Sequence, residues 1–294
     1  MSAFSQRPSE REPAPPPLDG FDSSERSAAA EREPLIHPTA ILHPSARVGR
    51  GVRIGPNALI GANVELGDEC VVDAFATILG PATLGPRNRV HHYAAVGTDS
   101  QDLKYRGGET WLRMGAENIV REYVTINRAS DAGGATLIGD GNVFMANSHV
   151  AHNCVIGNHT IFANAASVGG HCVVEDYAIL GGLAAIHQFC RIGSQSLVGA
   201  GAKLVKDVPP YCLADGAPAR LAGVNKVGLA RRGFQPEQIA EIKRMVVALF
   251  WRKSNLALAV AEWRSQGIDN PFATAMMTFI ESSQRGLIAP ARRR

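Results

Sequence analysis

The sequence predicts an all-β solenoid built from hexapeptide repeats and closed at its C-terminal end by an α-helical domain. Three observations predict it. An aliphatic or other large apolar residue returns every six positions, glycine is abundant and falls in phase with it, and beyond Pro209-Pro210 the six-residue phase gives way to a helical one.

Ile36, Leu42, Val48, Ile54, Ile60, Leu66, Val72, Ile78, Leu84, Val90 and Val96 form an unbroken run. The phase returns at Met114, Val120 and Ile126, and again from Ile138 through Val150, Val168 and Ile186 to Leu204. If such residues fill about a third of ordinary positions, agreement at every one of these places has a chance on the order of one in a trillion. Period six suits neither an amphipathic helix nor a plain alternating strand. It suits short strands bent at each corner, three sides to a circuit, so that one coil takes about 18 residues. Glycine, 30 of 294 residues, follows the repeat residue at Gly49, Gly55, Gly61, Gly67, Gly85, Gly97, Gly115, Gly139, Gly157, Gly181 and Gly193. A corner at each of these is expected to need a permissive backbone.

Along the chain, residues 1–33 are rich in Pro, Ser, Glu and Arg, without the apolar core of a signal peptide, and read as a disordered tail. The solenoid is expected over 34–210, with loops at about 98–113 and 129–137 where the phase lapses. Loops on a rigid scaffold are frequent carriers of function. Pro209-Pro210 should end the ladder, since proline donates no hydrogen bond. The region 211–294 is expected to be α-helical. Its first long helix, 236–253, carries Ile239, Ile242, Val246, Leu249 and Phe250 on one stripe behind Pro236, and 255–266 and 271–284 follow. Such a unit covers the open end of a solenoid.

Composition excludes several classes. The net charge is +3, from 30 Lys and Arg against 27 Asp and Glu, far from a nucleic-acid-binding stripe. No apolar stretch approaches the roughly 18 residues of a membrane span. Five cysteines without compact pairing fit a reducing, cytoplasmic setting. Cys154, Cys172 and Cys190 are 18 residues apart, but the same phase elsewhere holds Thr160, Ala166, Ala178, Ala184, Ser196 and Ala202. The position asks for a small filler, which a free cysteine provides.

The same arithmetic places His152, Gly170 and Gln188 one above another, about 4.8 Å per coil. His171 and His187 lie one residue to the side and His149 three residues before His152, a concentration in a chain with nine histidines. Two chemistries remain open on these residues. Imidazoles at H-x-x-H spacing could hold zinc and a nucleophilic water, as in carbonic anhydrases built from hexapeptide repeats. Alternatively, one imidazole acts as general base on a hydroxyl while the Gly170 N–H stabilises an oxyanion. A pure scaffold, indifferent to His152, is the third reading.

Five segments in order carry a family resemblance: Asn147-Ser-His-Val-Ala-His-Asn-Cys154, Ser100-Gln-Asp-Leu-Lys-Tyr105, Ala185-Ile-His-Gln-Phe-Cys190, Asp207-Val-Pro-Pro-Tyr211 and Gly228-Leu-Ala-Arg-Arg-Gly-Phe234. Over roughly residues 34–290 the chain resembles the UDP-N-acetylglucosamine O-acyltransferases. The resemblance implies a left-handed parallel β-helix with C-terminal helices, assembled as a homotrimer with sites in the clefts between subunits. The implied reaction, first in lipid A biosynthesis, moves an R-3-hydroxyacyl group from acyl carrier protein to the 3-hydroxyl of the glucosamine unit of UDP-N-acetylglucosamine, with no metal or other cofactor. Within it His152 matches the general base and Gly170 the oxyanion donor. Asp102 and Lys104 match contacts to the sugar nucleotide, and His149, His171, His187 and Gln188 match contacts to glucosamine, acyl chain and nucleotide. Asn225 and Arg231 match nucleotide contacts, with Arg232 beside them. Ala200 matches the position that sets acyl-chain length, where a methyl group should shorten the preferred chain relative to glycine. Arg231, Arg232, Lys243, Arg244, Arg252 and Lys253 would suit an acidic carrier protein.

Two further positions depart from the family. Val227 replaces an acidic nucleotide contact of some relatives. Asn153 follows the base where these enzymes often carry Asp, so Asn153→Asp is expected to raise the rate by stabilising imidazolium. The sibling N-acyltransferase of the same pathway often has Asn here. It lacks the Gln101-to-Tyr105 loop, and its additional N-terminal domain exceeds the segment that precedes this repeat.

Overall fold

The computed structural model describes residues 33–251, 256–265 and 270–291. The expected tail lies outside these but for Glu33, as do Arg252 and Lys253. Parallel strands, mostly two residues long, stack into three walls of 11, 9 and 8 strands. Around one circuit the chain runs through Val143–Phe144 on the first wall, His149–Val150 on the second and Val155–Ile156 on the third. The next circuit repeats them in register, His149 against Ser167 and Ser167 against Ala185. The six-fold residue is the second of each pair and points inward, so Val72, Val150, Val168, Leu180 and Ile192 are all buried. Each such side chain contributes about 1.5–3 kcal/mol of burial.

Strands stop after two residues because the chain turns through a residue in the left-handed region at nearly every corner, among them Asn57, Asn153, His171 and Phe189 at φ 56°, 57°, 59° and 65°. This alters the expected role of glycine. Of the glycines that follow the repeat residue, only Gly97 has positive φ. The others answer to close passage of the next coil: a Cβ on Gly157 would lie 2.3 Å from Asp176 Oδ1 and 2.8 Å from its backbone nitrogen.

The two lapses in phase are loops, 99–110 and 128–134, after which the third wall resumes with Leu84 paired to Met114 and Met114 to Ile138. Inside these same coils runs a buried ladder of amides. Asn118 donates from its backbone and side-chain nitrogens to Asn88 Oδ1, both at 2.9 Å, and Asn142 does the same to Asn118 Oδ1 at 3.0 and 2.9 Å. Thr160 N and Oγ1 close the series on Asn142 Oδ1, each at 2.7 Å.

The expected end of the sheet at residue 210 is corrected. Pro209-Pro210 fall at a corner, where no ladder amide is needed, and Cys212–Gly216 rejoins the first wall in parallel with Leu197–Val198. Ala219–Val224 then folds back antiparallel, so the region expected to be helical opens with a hairpin. Helices follow at Lys226–Arg231 (α1), Pro236–Phe250 (α2), Leu256–Ser265 (α3) and Pro271–Ser282 (α4). Helix α2 has Pro at its first turn and buries Ile242, Met245, Val246, Leu249 and Phe250. The helices are pinned to the coil by Arg191, whose Nη1 donates to Ser282 Oγ at 2.7 Å, and by Ser283 Oγ, which donates to Asp207 Oδ2 at 2.6 Å. Helix α1 was not foreseen; its signal is the cap residue Asn225.

Candidate active site at one corner of the coil

Residues 151–154 turn the chain from the second wall to the third, residues 169–172 do so one coil on, and residues 187–190 two coils on. The expected column is real. His171 N donates to His152 O and Phe189 N to Gly170 O, both at 3.0 Å. A Cβ on Gly170 would lie 2.5 Å from Cε1 and Nε2 of His152, so the glycine sits directly over the imidazole. The Gly170 N–H takes no protein acceptor among the described residues. His152 is only 8% exposed, edge-on to His171 at 5.2 Å between ring centres, and His171 in turn stacks on Phe189 at 4.7 Å.

Hydrogen bonding decides the tautomer of His152. Asn153 Oδ1 accepts from Ser130 N at 2.9 Å and from Ser130 Oγ at 3.0 Å. The backbone N–H can only donate, which fixes the amide, so His152 Nδ1, 2.9 Å from the same oxygen, must be the protonated nitrogen. Nε2 is left with a bare lone pair beneath Gly170.

His149, three residues earlier, has Nδ1 2.7 Å from Thr125 Oγ1. Burial first, and the neighbouring His152 second, hold His171 below the usual imidazole value, against the pull of Asp131 and Asp102. Burial likewise lowers His149, with His152 adding to it. Both shifts favour the neutral ring beside His152. Asp102, on the first loop, has its Oδ1 accepting the Lys104 backbone N–H at 2.9 Å, and Lys104 is exposed. His187 and Gln188 are exposed at the next coil. His187 Nδ1 accepts from Arg285 Nη2 at 2.9 Å.

Four expected residues are not brought to this corner. Ala200 lies between Leu197–Val198 and Lys203–Leu204, at the corner joining the first and second walls. Asn225, Arg231 and Arg232 belong to the third corner. Asn225 is buried as the cap of α1, accepting from Gly228 N at 3.1 Å and donating to Gln195 O at 2.9 Å. Arg232 donates to Gln195 Oε1 at 2.8 Å and lies 5.2 Å from the centre of the Tyr177 ring; Arg231 is exposed. Ser130, Asp131 and Arg285 went unnoticed in the sequence, where only the lapse in phase marked the loop holding the first two.

The cysteine column is structural. Cys154 and Cys172 donate to Gly169 O and His187 O at 3.2 Å, and burial pushes the Cys190 thiol up to about 12. A zinc reading needs converging ligands, and among the described residues no three His, Cys, Asp or Glu side chains group as a metal cage.

A parallel coil of six-residue repeats with a buried imidazole at one corner is the architecture of a hexapeptide-repeat protein. Residues 135–170 match the bacterial transferase hexapeptide model, and residues 207–288 match the second domain of UDP-N-acetylglucosamine O-acyltransferase. The chain is 38% identical over 258 residues to an acyl-(acyl-carrier-protein)-UDP-N-acetylglucosamine O-acyltransferase of Synechocystis, covering 88% of this chain and 93% of that one. It is 50% identical over 209 residues to the enzyme so named from Akkermansia muciniphila, covering 70% and 81%. The solved UDP-N-acetylglucosamine acyltransferase of Francisella novicida superposes with a TM-score of 0.84 at 32% identity, over 88% of this chain and 95% of that one. The Acinetobacter baumannii structure gives 0.83 at 37%, over 86% and 99%. The chain therefore belongs to the acyl-(acyl-carrier-protein)-UDP-N-acetylglucosamine O-acyltransferase family and is an acyltransferase. Its fold is the left-handed parallel β-helix with C-terminal helices.

Proposed function

We propose that this chain transfers an R-3-hydroxyacyl group from acyl carrier protein to the 3-hydroxyl of UDP-N-acetylglucosamine, the first step of lipid A biosynthesis, with His152 as general base. The observation that carries the mechanism is the bare Nε2 of His152 beneath the unpartnered Gly170 N–H. Nε2 takes the hydroxyl proton as that oxygen attacks the thioester carbonyl. The oxyanion of the tetrahedral intermediate is met by Gly170 N–H. Its collapse breaks the carbon–sulfur bond, and the departing thiolate of the carrier recovers the proton from the imidazolium. Lys104, exposed on the first loop, suits a phosphate, and Asp102 a sugar hydroxyl. His149 and His171, whose surroundings favour the neutral ring, flank His152, and His187 and Gln188 extend the row along the coil. The buried, inert thiols suit a cytoplasmic setting.

The test incubates the purified chain with hydroxyacyl carrier proteins of several lengths and with either UDP-N-acetylglucosamine or its 3-O-acyl-glucosamine successor, then weighs the product. Acylation of the first acceptor is expected; acylation of the second alone would give the sibling N-acyltransferase. Ala200→Gly should move the preferred acyl length upward by one or two methylenes, each worth about 1–3 kcal/mol of discrimination in an apolar groove. An unchanged preference would remove Ala200 from the groove.

The homotrimer is part of the same proposal. One chain distributes the expected binding set over three corners, and a second copy laying its own corners against His152 would complete it. The corner that carries Ala200 also carries Phe75, Tyr93 and Tyr123, stacked at 5.3 and 5.2 Å and exposed at 47%, 49% and 56%. A continuous exposed aromatic ridge is suited to subunit contact, and a head-to-tail contact closes as a ring of three. Tyr93→Lys with Tyr123→Lys should give monomers by sedimentation velocity and abolish turnover. A fully active monomer would contradict the shared cleft.

A further inference from the structure

Resting on the base assigned to His152, we propose that Asp131 is a positioning residue for this reaction. Acting through the Asn153 amide, its carboxylate orients the imidazole and supplies the negative charge that a carboxylate at position 153 would place there directly. The structure contains the whole connection. His152 Nδ1 meets Asn153 Oδ1 at 2.9 Å, and Asn153 Nδ2 donates to Asp131 Oδ2 at 3.1 Å. The Asn153 backbone N–H is held by Thr136 Oγ1 at 2.9 Å, and Ser130 gives its two hydrogen bonds to Asn153 Oδ1. Both ends of the amide are therefore satisfied, with its oxygen toward the base and its nitrogen toward the carboxylate.

A carboxylate at the nitrogen end polarises the amide and adds negative charge to the oxygen facing Nδ1–H. That favours imidazolium in the transition state, the contribution a directly bonded Asp makes in a triad. Asp131 is exposed, so its charge is partly screened and its effect is smaller than that of a buried carboxylate. The other ionisable groups beside His152 are His149 on the preceding strand and His171 on the next coil, and the charge of Asp102 on the first loop acts on His171. Among the described residues, Asp131 is the carboxylate connected to His152 by hydrogen bonds, through Asn153.

The geometry reverses the expectation from sequence that Asn153→Asp accelerates the enzyme. A second carboxylate there would face Asp131 at hydrogen-bond distance, and two such groups cannot both ionise freely. The exchange should slow the parent chain and help only when Asp131 is also changed.

The experiment measures kcat and KM for both substrates, across pH, in the full-length parent, His152→Ala, Asp131→Asn, Asn153→Asp and the Asp131→Asn/Asn153→Asp double variant. Asp131→Asn keeps an acceptor for Asn153 Nδ2 and removes only the charge. We expect kcat to fall about tenfold, with both KM values within about twofold of the parent. The swapped double variant should return to within about threefold of the parent. Parent kcat in Asp131→Asn, or a double variant no faster than either single one, would overturn the connection while leaving the base in place. Full turnover by His152→Ala would overturn both.

Discussion

Replacing His152 with alanine is expected to lower kcat by about 10²- to 10⁴-fold, the usual contribution of a positioned general base, with little change in KM. The fold should be untouched. The imidazole makes one side-chain hydrogen bond, to Asn153, and Asn153 Oδ1 keeps both donors from Ser130 when it is lost. No buried polar group is orphaned, so melting temperature and subunit association should stay near those of the parent. Steady-state kinetics beside sedimentation give the answer. More than a tenth of parental turnover in a well-folded His152→Ala assembly would mean that another group removes the proton.

Gly170→Ala should cost as much by a different route. Its methyl carbon would lie 2.5 Å from two ring atoms of His152, and the ring cannot yield without breaking its bond to Asn153 or losing its edge contact with His171. Displacement of a catalytic group by about 1 Å can cost on the order of 10²-fold. The added methyl also crowds the space an oxyanion would occupy above the Gly170 N–H. Overpacking at a single site costs roughly 1–3 kcal/mol of stability, so the variant should fold, melt lower than the parent and turn over at about 1% or less of its rate. A Gly170→Ala enzyme working at the parental rate would remove both the contact and the oxyanion donor from the mechanism.

The coil was legible in the sequence because each side buries one large side chain beside one small filler, as Val168 beside Ala166, so the period of burial equals the period of the wall. The same regularity made the column of His152, Gly170 and Gln188 readable as simple addition of coil lengths. Glycine was readable in position but not in cause: close approach of a neighbouring coil and positive φ leave the same residue behind. Ser130 and Asp131 could not be placed, because a loop that leaves the coil also leaves its arithmetic, and no periodicity says where it returns. Arg285 reaches His187 from 98 residues away for the same reason. Asn225, expected as a nucleotide contact, is also a buried helix cap, a role that asks for the same amide. The division of Ala200 and Arg232 among separate corners was implicit in the spacing, but it acquires meaning only when more than one copy of the chain is considered.

The internal ladder of Asn88, Asn118, Asn142 and Thr160 lies behind both loops, and its consecutive steps span 30, 24 and 18 residues. Whatever length of chain is diverted outward, these amides clamp the turns before and after it at one fixed spacing. The scaffold is thereby insulated from its own insertions. A lineage could lengthen, shorten or rewrite the first loop without shifting the coils that carry His152 and Gly170, and in the second loop only Ser130 and Asp131, which hold Asn153, would have to stay.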